Sequence, residues 1–235
     1  MLTDADIERF GEDGFVVLRG AIPRAMAERA VEVLTPELDP VSDAPVQRIL
    51  ASTHPEVVAT ANTRPLVDAF DRLVGPGRWR PVLGMGSFPV RFPSEADPGD
   101  AGWHVDGAYA GPDGGYRVNR RSAGRALLFL PLYTDVGPDD APTRLRVGSH
   151  RIVADLLEPF GDDGLGFLDL AMRAVPATEH CPVVHAIGGA GDVVLCHPFL
   201  VHATSWPHRG LGPRWIGQQC LPPGPGYDVS ALGCR

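Results

Sequence analysis

His104 and Asp106 stand two residues apart in the run Gly102-Trp103-His104-Val105-Asp106-Gly107. In an extended strand, side chains at i and i+2 leave the backbone on the same face, so this imidazole and carboxylate can converge on one point. A second histidine from a distant segment would complete a two-histidine, one-carboxylate triad. That donor set holds Fe(II) on one face and leaves the opposite positions open. The pair alone is a weak signal, because eight histidines among this many aspartates produce such spacings by chance. Its placement adds weight: it follows a Pro/Asp/Gly loop at 93–101 and precedes a glycine-rich stretch that can frame a pocket.

Two histidines compete for the distal position. His197 ends the apolar run from Gly191, and His202 lies five residues further on. An iron enzyme that uses 2-oxoglutarate also needs a buried cation for the far carboxylate, and arginine suits it by pairing bidentately and staying charged. His202 to Arg214 and His197 to Arg209 are both twelve residues apart. Arg214 sits between Pro213 and Trp215-Ile216, a strand context that can bury it, whereas Arg209 lies in a turn-like His208-Arg209-Gly210. This favours His202 with Arg214. Thr204 can share the cosubstrate carboxylate or simply bond its own backbone.

Arg91, with Ser87 on the same alternating run, faces either a pocket or solvent. Arg117, Arg120 and Arg121 suit either a substrate anion or a solvated loop. Trp103 and Tyr109 can wall a substrate pocket or serve as packing. His150 reads as a cap of a turn or helix, and His54, His180 and His185 as structural.

The elements that must position these groups follow from punctuation and periodicity. Thr3 and Asp6 form a capping-box pattern ahead of Ile7 and Phe10, and Gly14 ends that helix. Phe15–Leu18 reads as a buried strand. Pro23 opens a helix with Met26, Ala30, Val33 and Leu34 on one face. Thr63 and Pro65 open another through Leu66, Phe70 and Leu73, stopped by Gly75-Pro76-Gly77. From Trp79 the pattern turns to strands: Gly86–Phe92, the His104 segment, Arg125–Tyr133 as a central strand weakened by Pro131, and Thr143–Val147. Residues 107–124 read as a long functional loop, and Gly137–Asp140 as a turn. Arg151–Leu157 and Leu165–Val175 read as inserted helices. Val183–Ile187 and Asp192–Cys196 read as a hairpin, and Trp215–Cys220 as the last strand. Many short strands with few long helices predict a mainly β chain with flanking helices, in a sandwich or jelly roll.

At 235 residues one domain is expected. A net charge of −8 argues against a nucleic-acid partner. No apolar targeting region opens the chain, and no window approaches the roughly 18 apolar residues of a membrane span. Cys181, Cys196, Cys220 and Cys234 have no CxxC spacing, which argues against a zinc site or disulfide framework and for reduced thiols in a cytoplasmic protein. The oligomeric state is left open.

Taken in order, these motifs resemble the phytanoyl-CoA dioxygenase family of Fe(II)/2-oxoglutarate-dependent oxygenases. The resemblance lies in the Thr3–Leu18 opening with Gly-Phe-Val-Val-Leu, in Trp103-His104-Val105-Asp106, in Val147-Gly148-Ser149-His150 against the family's PGSH stretch, and in Gly191-Asp192 through His202 to Arg214. It implies a double-stranded β-helix (cupin-like jelly roll) over 79–235, with a mostly helical part, 1–78, packed on it. It implies His104, Asp106 and His202 as iron ligands, with Arg214 and Thr204 holding 2-oxoglutarate. The low-specificity candidates for substrate contact are Arg91, Trp103, Tyr109 and Arg117. Three protein ligands leave three positions for the cosubstrate and O2. The implied reaction is hydroxylation of a small molecule, with 2-oxoglutarate decarboxylated to succinate and CO2. Asp106 favours this over halogenation, in which a small residue would replace the carboxylate. Desaturation, epimerisation or ring closure by the same oxidant, and a metal-binding jelly roll without turnover, are the rival readings. No HExxH pattern supports a zinc hydrolase.

Overall fold

The N-terminal helix α1 (Asp4–Asp13) starts on a reciprocal cap: Thr3 Oγ1 accepts from the Asp6 N–H at 3.2 Å, and the Asp6 carboxylate accepts from the Thr3 N–H at 2.8 Å. It ends at Gly14, whose φ of 85° is left-handed and where a Cβ would lie 2.4 Å from His150 Nδ1. The computed structural model describes residues 1–112 and 114–232. Cys234, and position 113 within the 107–124 stretch, lie outside the described residues.

Strand β1 (Phe15–Leu18) follows directly, then α2 (Arg24–Leu34), β2 (Val46–Ile49), α3 (Pro55–Ala59), α4 (Arg64–Leu73) and β3 (Phe88–Arg91). Next come β4 (Tyr109–Ala110), β5 (Tyr116–Val118), β6 (Leu127–Pro131) and β7 (Thr143–Arg146). The chain continues through α5 (Ser149–Leu157), β8 (Leu165–Gly166), α6 (Phe167–Ala177), β9 (Val183–Ala186), β10 (Val193–Cys196), β11 (His202–Ala203) and β12 (Gln219–Leu221). The architecture is mainly β with flanking helices.

One antiparallel sheet has the order β1-β10-β6-β12, and a second has the order β11-β7-β9. The apolar run of β6 is buried throughout because it has a core on each side. Leu127 and Phe129 join the core that α1, α2 and α4 cover, while Leu128 and Leu130 join a second core. Val194 and Cys196 of β10 meet Leu145 of β7 and Ala186 of β9 in that second core, so it fills the space between the two sheets. The segment leading into β12 extends the first sheet toward β3, through bridges Ile216 to Leu132, Ser87 to Gln218 and Arg91 to Arg214.

Four local expectations are corrected. β9 and β10 are not a hairpin: β9 pairs with β7 and β10 with β1 and β6, so 187–192 crosses between sheets. Asp192 holds that crossing, accepting from the Gly189 and Gly20 N–H groups and pairing with Arg19. Residues 107–124 are not a bare loop; β4 and β5 form an antiparallel pair that β8 extends. The His104 segment is a single bridge rather than a strand. The first third, expected to be helical apart from the Phe15–Leu18 strand, also contributes β2 to a sheet. Its helices otherwise follow the sequence, with Ala30 and Leu34 buried on α2 and Leu66, Phe70 and Leu73 on α4. Among the described residues no helix is long and apolar enough to cross a membrane, and Cys181, Cys196 and Cys220 are free thiols.

His150 sits against a carbonyl in the last turn of α1, the helix-end position that its capping role predicts. It is buried in α5 with its ring 4.8 Å from that of His197, Nε2 at 3.2 Å from the Gly11 carbonyl and Nδ1 without a partner. Burial presses the His150 pKa down to about 4, and burial, then the His150 charge, holds His197 well below the ordinary value. Both rings are therefore neutral in the fold but protonate near pH 6.5 when unfolded. Their contribution to stability is complete above about pH 6.5 and is lost as pH falls toward 4. The melting temperature followed by circular dichroism should fall across that window, and His150→Leu should flatten the slope. An unchanged slope in the variant would assign the acid sensitivity to other groups.

Candidate metal centre

The His104 and His202 backbones face each other across an antiparallel bridge, His104 N–H to His202 carbonyl at 3.0 Å and His202 N–H to His104 carbonyl at 2.9 Å. Directly opposed residues put their side chains on the same face, and the two ring centroids lie 4.5 Å apart. The two-residue spacing brings in the Asp106 carboxylate, with Oδ1 at 3.5 Å from His104 Nε2 and Oδ2 at 3.7 Å from His202 Nε2. One ligand atom from each of the three lies within 4.8 Å of the others.

Each imidazole sets its Nδ1 against the carbonyl two residues back: His104 on Gly102 at 2.9 Å, His202 on Leu200 at 3.0 Å. An N–H donated there leaves the Nε2 lone pair facing the carboxylate, the arrangement that orients metal-bound histidines. His202 Nε2 is buried and has no hydrogen-bond partner. An unpaired buried acceptor beside a carboxylate and a second Nε2 fits a divalent cation.

The site's charges are held in place. Asp106 is buried, which alone would raise its pKa, yet the Arg125 charge, then that of His202, keep it well below the usual carboxylate range. Arg125 Nη1 donates to Oδ2 at 3.0 Å, and Gln218 Nε2 lies 3.0 Å from both carboxylate oxygens. Burial lowers His202 to about 4, so its ring is neutral near pH 7 and free to donate electrons. Burial also acts against protonation of His104, but the Asp106 hydrogen bond and charge outweigh it and raise that pKa.

Trp103 does not wall a pocket. Its ring is held between the guanidinium groups of Arg144 and Arg146, at 4.6 and 4.4 Å. Arg144 also donates to the carbonyls of Thr204 at 3.0 Å and Ala101 at 2.7 Å, stapling the two histidine-bearing segments together. His197 stands outside the triad, against Phe10, His150 and Phe199.

A cavity of about 250 Å³ opens on the triad and is lined by Arg48, Asp100, Thr204 and Arg214 among others. Arg214 is buried, with Nη1 on the Ala141 carbonyl and Nε unpartnered. Burial, then the neighbouring Arg91 charge, lower its pKa to about 9, which leaves it cationic at neutral pH and favours an anion beside it. Arg209 is exposed and paired with Glu95 at 2.8 Å. Thr204 Oγ1 donates to the Asp100 carbonyl at 2.9 Å. Arg91 is buried against Asp100 at 2.5 Å, outside the residues lining either cavity.

A larger cavity, about 1030 Å³, adjoins the first, and Asp106, Phe167 and Gln218 line both. Ser87 and Arg117 lie in its wall, with Arg117 tied to the carbonyls of Asp163 and Gly164 at 3.0 and 3.1 Å. Tyr109 does not line it; its hydroxyl donates to the Asp163 carbonyl at 3.0 Å. Arg120 and Arg121 pair with Asp162 at the surface. His54 caps α3, and His180 and His185 are exposed.

Sequence reasoning missed the roles of Arg125, Gln218, Arg48 and Phe167. Arg125 had one signal, as a lone cation at the mouth of an apolar central strand. Gln218 and Phe167 had none, since their positions depend on pairing with distant segments.

A family model described as phytanoyl-CoA dioxygenase matches residues 10–214. Among solved structures, the fold is similar to SnoK, a non-haem alpha-ketoglutarate-dependent carbocyclase from nogalamycin biosynthesis, at 19% identity and TM-score 0.65, covering 94% of this chain and 84% of that one. HygX from Streptomyces hygroscopicus, solved with nickel, 2-oxoglutarate and hygromycin B, is similar at 16% identity and TM-score 0.60, covering 96% and 88%. EctD from S. alaskensis, solved with 2-oxoglutarate and 5-hydroxyectoine, is similar at 16% and 0.60, covering 94% and 76%. No curated protein sequence matches the chain.

Gln218→Leu removes the neutral donor that aims Asp106 without unpairing Arg125. Loss of such an orienting bond costs about 10–100-fold in metal affinity. Titration with Ni(II), followed by tryptophan fluorescence, should show at least about a tenfold weakening, and undiminished affinity would deny Gln218 this role.

Proposed function

The chain belongs to the phytanoyl-CoA dioxygenase family, and from that premise we propose that His104, Asp106 and His202 hold its metal, with Arg214 receiving the far carboxylate of 2-oxoglutarate. It is a non-haem Fe(II)/2-oxoglutarate-dependent oxygenase. The observation that carries the ligand assignment is the buried, unpartnered Nε2 of His202, set against Asp106 and a second imidazole. Two sheets sharing one core support reading residues 79–235 as a double-stranded β-helix within a single oxygenase domain.

When bound, Fe(II) with 2-oxoglutarate and O2 supplies the oxidising chemistry that attacks a C–H bond, and 2-oxoglutarate leaves as succinate and CO2. The residues of the chain do the rest. Leu200 and Gly102 fix the tautomer of the two imidazoles through their Nδ1 bonds. Arg125 and Gln218 hold Asp106 ionised and aimed. Arg214 offers a buried charge in the wall of the smaller cavity, and Thr204 lines the same cavity with its hydroxyl on Asp100. The larger cavity receives a small-molecule substrate next to Asp106. We propose hydroxylation as the outcome: a carboxylate at position 106 keeps the third protein ligand, and the large adjoining cavity leaves room for a substrate C–H.

His202→Ala and Asp106→Ala should abolish Fe(II) binding under anaerobic titration, while His197→Ala keeps it. The opposite pattern for the two histidines would reverse the assignment. Arg214→Ala should weaken 2-oxoglutarate binding by about 10–100-fold, the worth of a charged hydrogen bond, and unchanged cosubstrate affinity would move the role to Arg48. A product gaining one oxygen atom supports hydroxylation, and one losing two hydrogens supports desaturation or ring closure.

A further inference from the structure

The charges in the wall of the larger cavity balance, two guanidinium groups against two carboxylates. Among the described residues that line it, Asp106, Arg117, Arg125 and Asp169 are ionisable acids or bases of ordinary charge. Arg125 spends Nη1 on Asp106 and Nη2 on the Gly107 carbonyl at 2.8 Å, and its buried Nε has no partner. Arg117 is held by the carbonyls of Asp163 and Gly164. Asp169 alone is unengaged, and it is an exposed carboxylate at the rim.

The larger polar side chains are committed as well. Gln218 serves Asp106, Gln219 Oε1 accepts from the Gly86 N–H while its amide donates to the Cys220 carbonyl, and the Cys220 thiol lies on the Gly124 carbonyl. The remaining side-chain wall is mostly apolar, with Met85, Phe167 and Leu168. Two apolar side chains at the mouth stand open to water, Tyr116 at 67% and Leu168 at 72% exposure. Burying that surface against an apolar occupant is favourable.

Resting on the oxygenase reading above, we propose that the substrate is an uncharged, predominantly apolar small molecule, carried into the cavity without a phosphate, sulfate or carboxylate group. The volume of about 1030 Å³ matches the upper end of small-molecule sites, about 300–1,000 Å³. An anionic group entering here would lose water, find a wall whose two guanidinium groups are balanced by two carboxylates, and meet the free Asp169 carboxylate. A coenzyme A thioester, with several phosphate charges, is therefore disfavoured as substrate. Phe167, whose ring lies 5.9 Å from that of His104, is the apolar wall that sets the reacting C–H beside the metal centre.

The test uses the full chain, with and without Ni(II) and 2-oxoglutarate, titrated by equilibrium dialysis with estradiol, estradiol 3-sulfate and decanoyl-coenzyme A. Estradiol should bind saturably, and the sulfate and the thioester at least about tenfold more weakly, a difference of about 1.4 kcal/mol. Leu168→Lys, which adds a cation at an exposed rim position, should narrow the gap between estradiol and its sulfate several-fold. Sulfate or thioester binding as tight as estradiol in the parent chain, a gap unmoved in the variant, or no saturable estradiol binding would each overturn the proposal. The Ni(II) and 2-oxoglutarate titrations run alongside report separately on the metal centre, so a failure of the oxygenase reading and a failure of the substrate class are told apart.

Discussion

Two backbone hydrogen bonds between His104 and His202 hold the site together. They join a loop segment to the edge of the β11-β7-β9 sheet and place two imidazoles on one side of it. Asp106 then arrives by strand geometry alone, since its side chain leaves the backbone on the same face as that of His104. The bridge is short and would be weak in isolation. It is reinforced by Trp103 between two guanidinium groups, and by Arg144, which bonds to carbonyls on both partners.

The second constraint is electrostatic. A buried carboxylate is costly unless it is paired and hydrogen-bonded. Asp106 meets that condition twice, through Arg125 and Gln218. In the smaller cavity the balance differs: Arg48 and Arg214 line it and Arg91 pairs with Asp100, while of its two carboxylates Asp106 is already matched by Arg125. The Nε groups of Arg91 and Arg214 have no partners. That region carries surplus positive charge in a low-dielectric setting, which a dicarboxylate neutralises. The two cavities thus differ in kind, one with surplus buried positive charge and the other with two guanidinium groups balanced by two carboxylates.

How much of this was legible in the sequence depends on the range of the interaction. The α1 cap, the apolar faces of α2 and α4 and the burial of β6 are local patterns, and the structure carries them. The choice of Arg214 over Arg209 for burial also rested on neighbours in the chain, and Arg214 is the buried one. The expected hairpin failed because two strands joined by a glycine turn look alike whether they pair with each other or with different sheets. Here Gly188 bridges to Val136 and Asp192 grips Gly20, both remote in sequence. Arg125, Gln218 and Phe167 were invisible for the same reason: each acts on an atom contributed by another element.

Phe167 shows how a misread loop came to matter. The stretch 107–124 looks like solvent-facing chain by composition, yet it contributes β4 and β5, and β5 pairs with β8 at Arg117 to Gly166 and Val118 to Leu165. That register places the first residue of α6 at the junction of the two cavities. Gly164 lets the strands close, since a Cβ there would lie 2.1 Å from the Val118 carbonyl oxygen and its φ is 61°. A slip of one residue between β5 and β8 would exchange the faces of that short pairing. It would carry the aromatic ring away from His104. The apolar boundary between the two cavities therefore depends on a long-range strand pairing that periodicity alone does not announce.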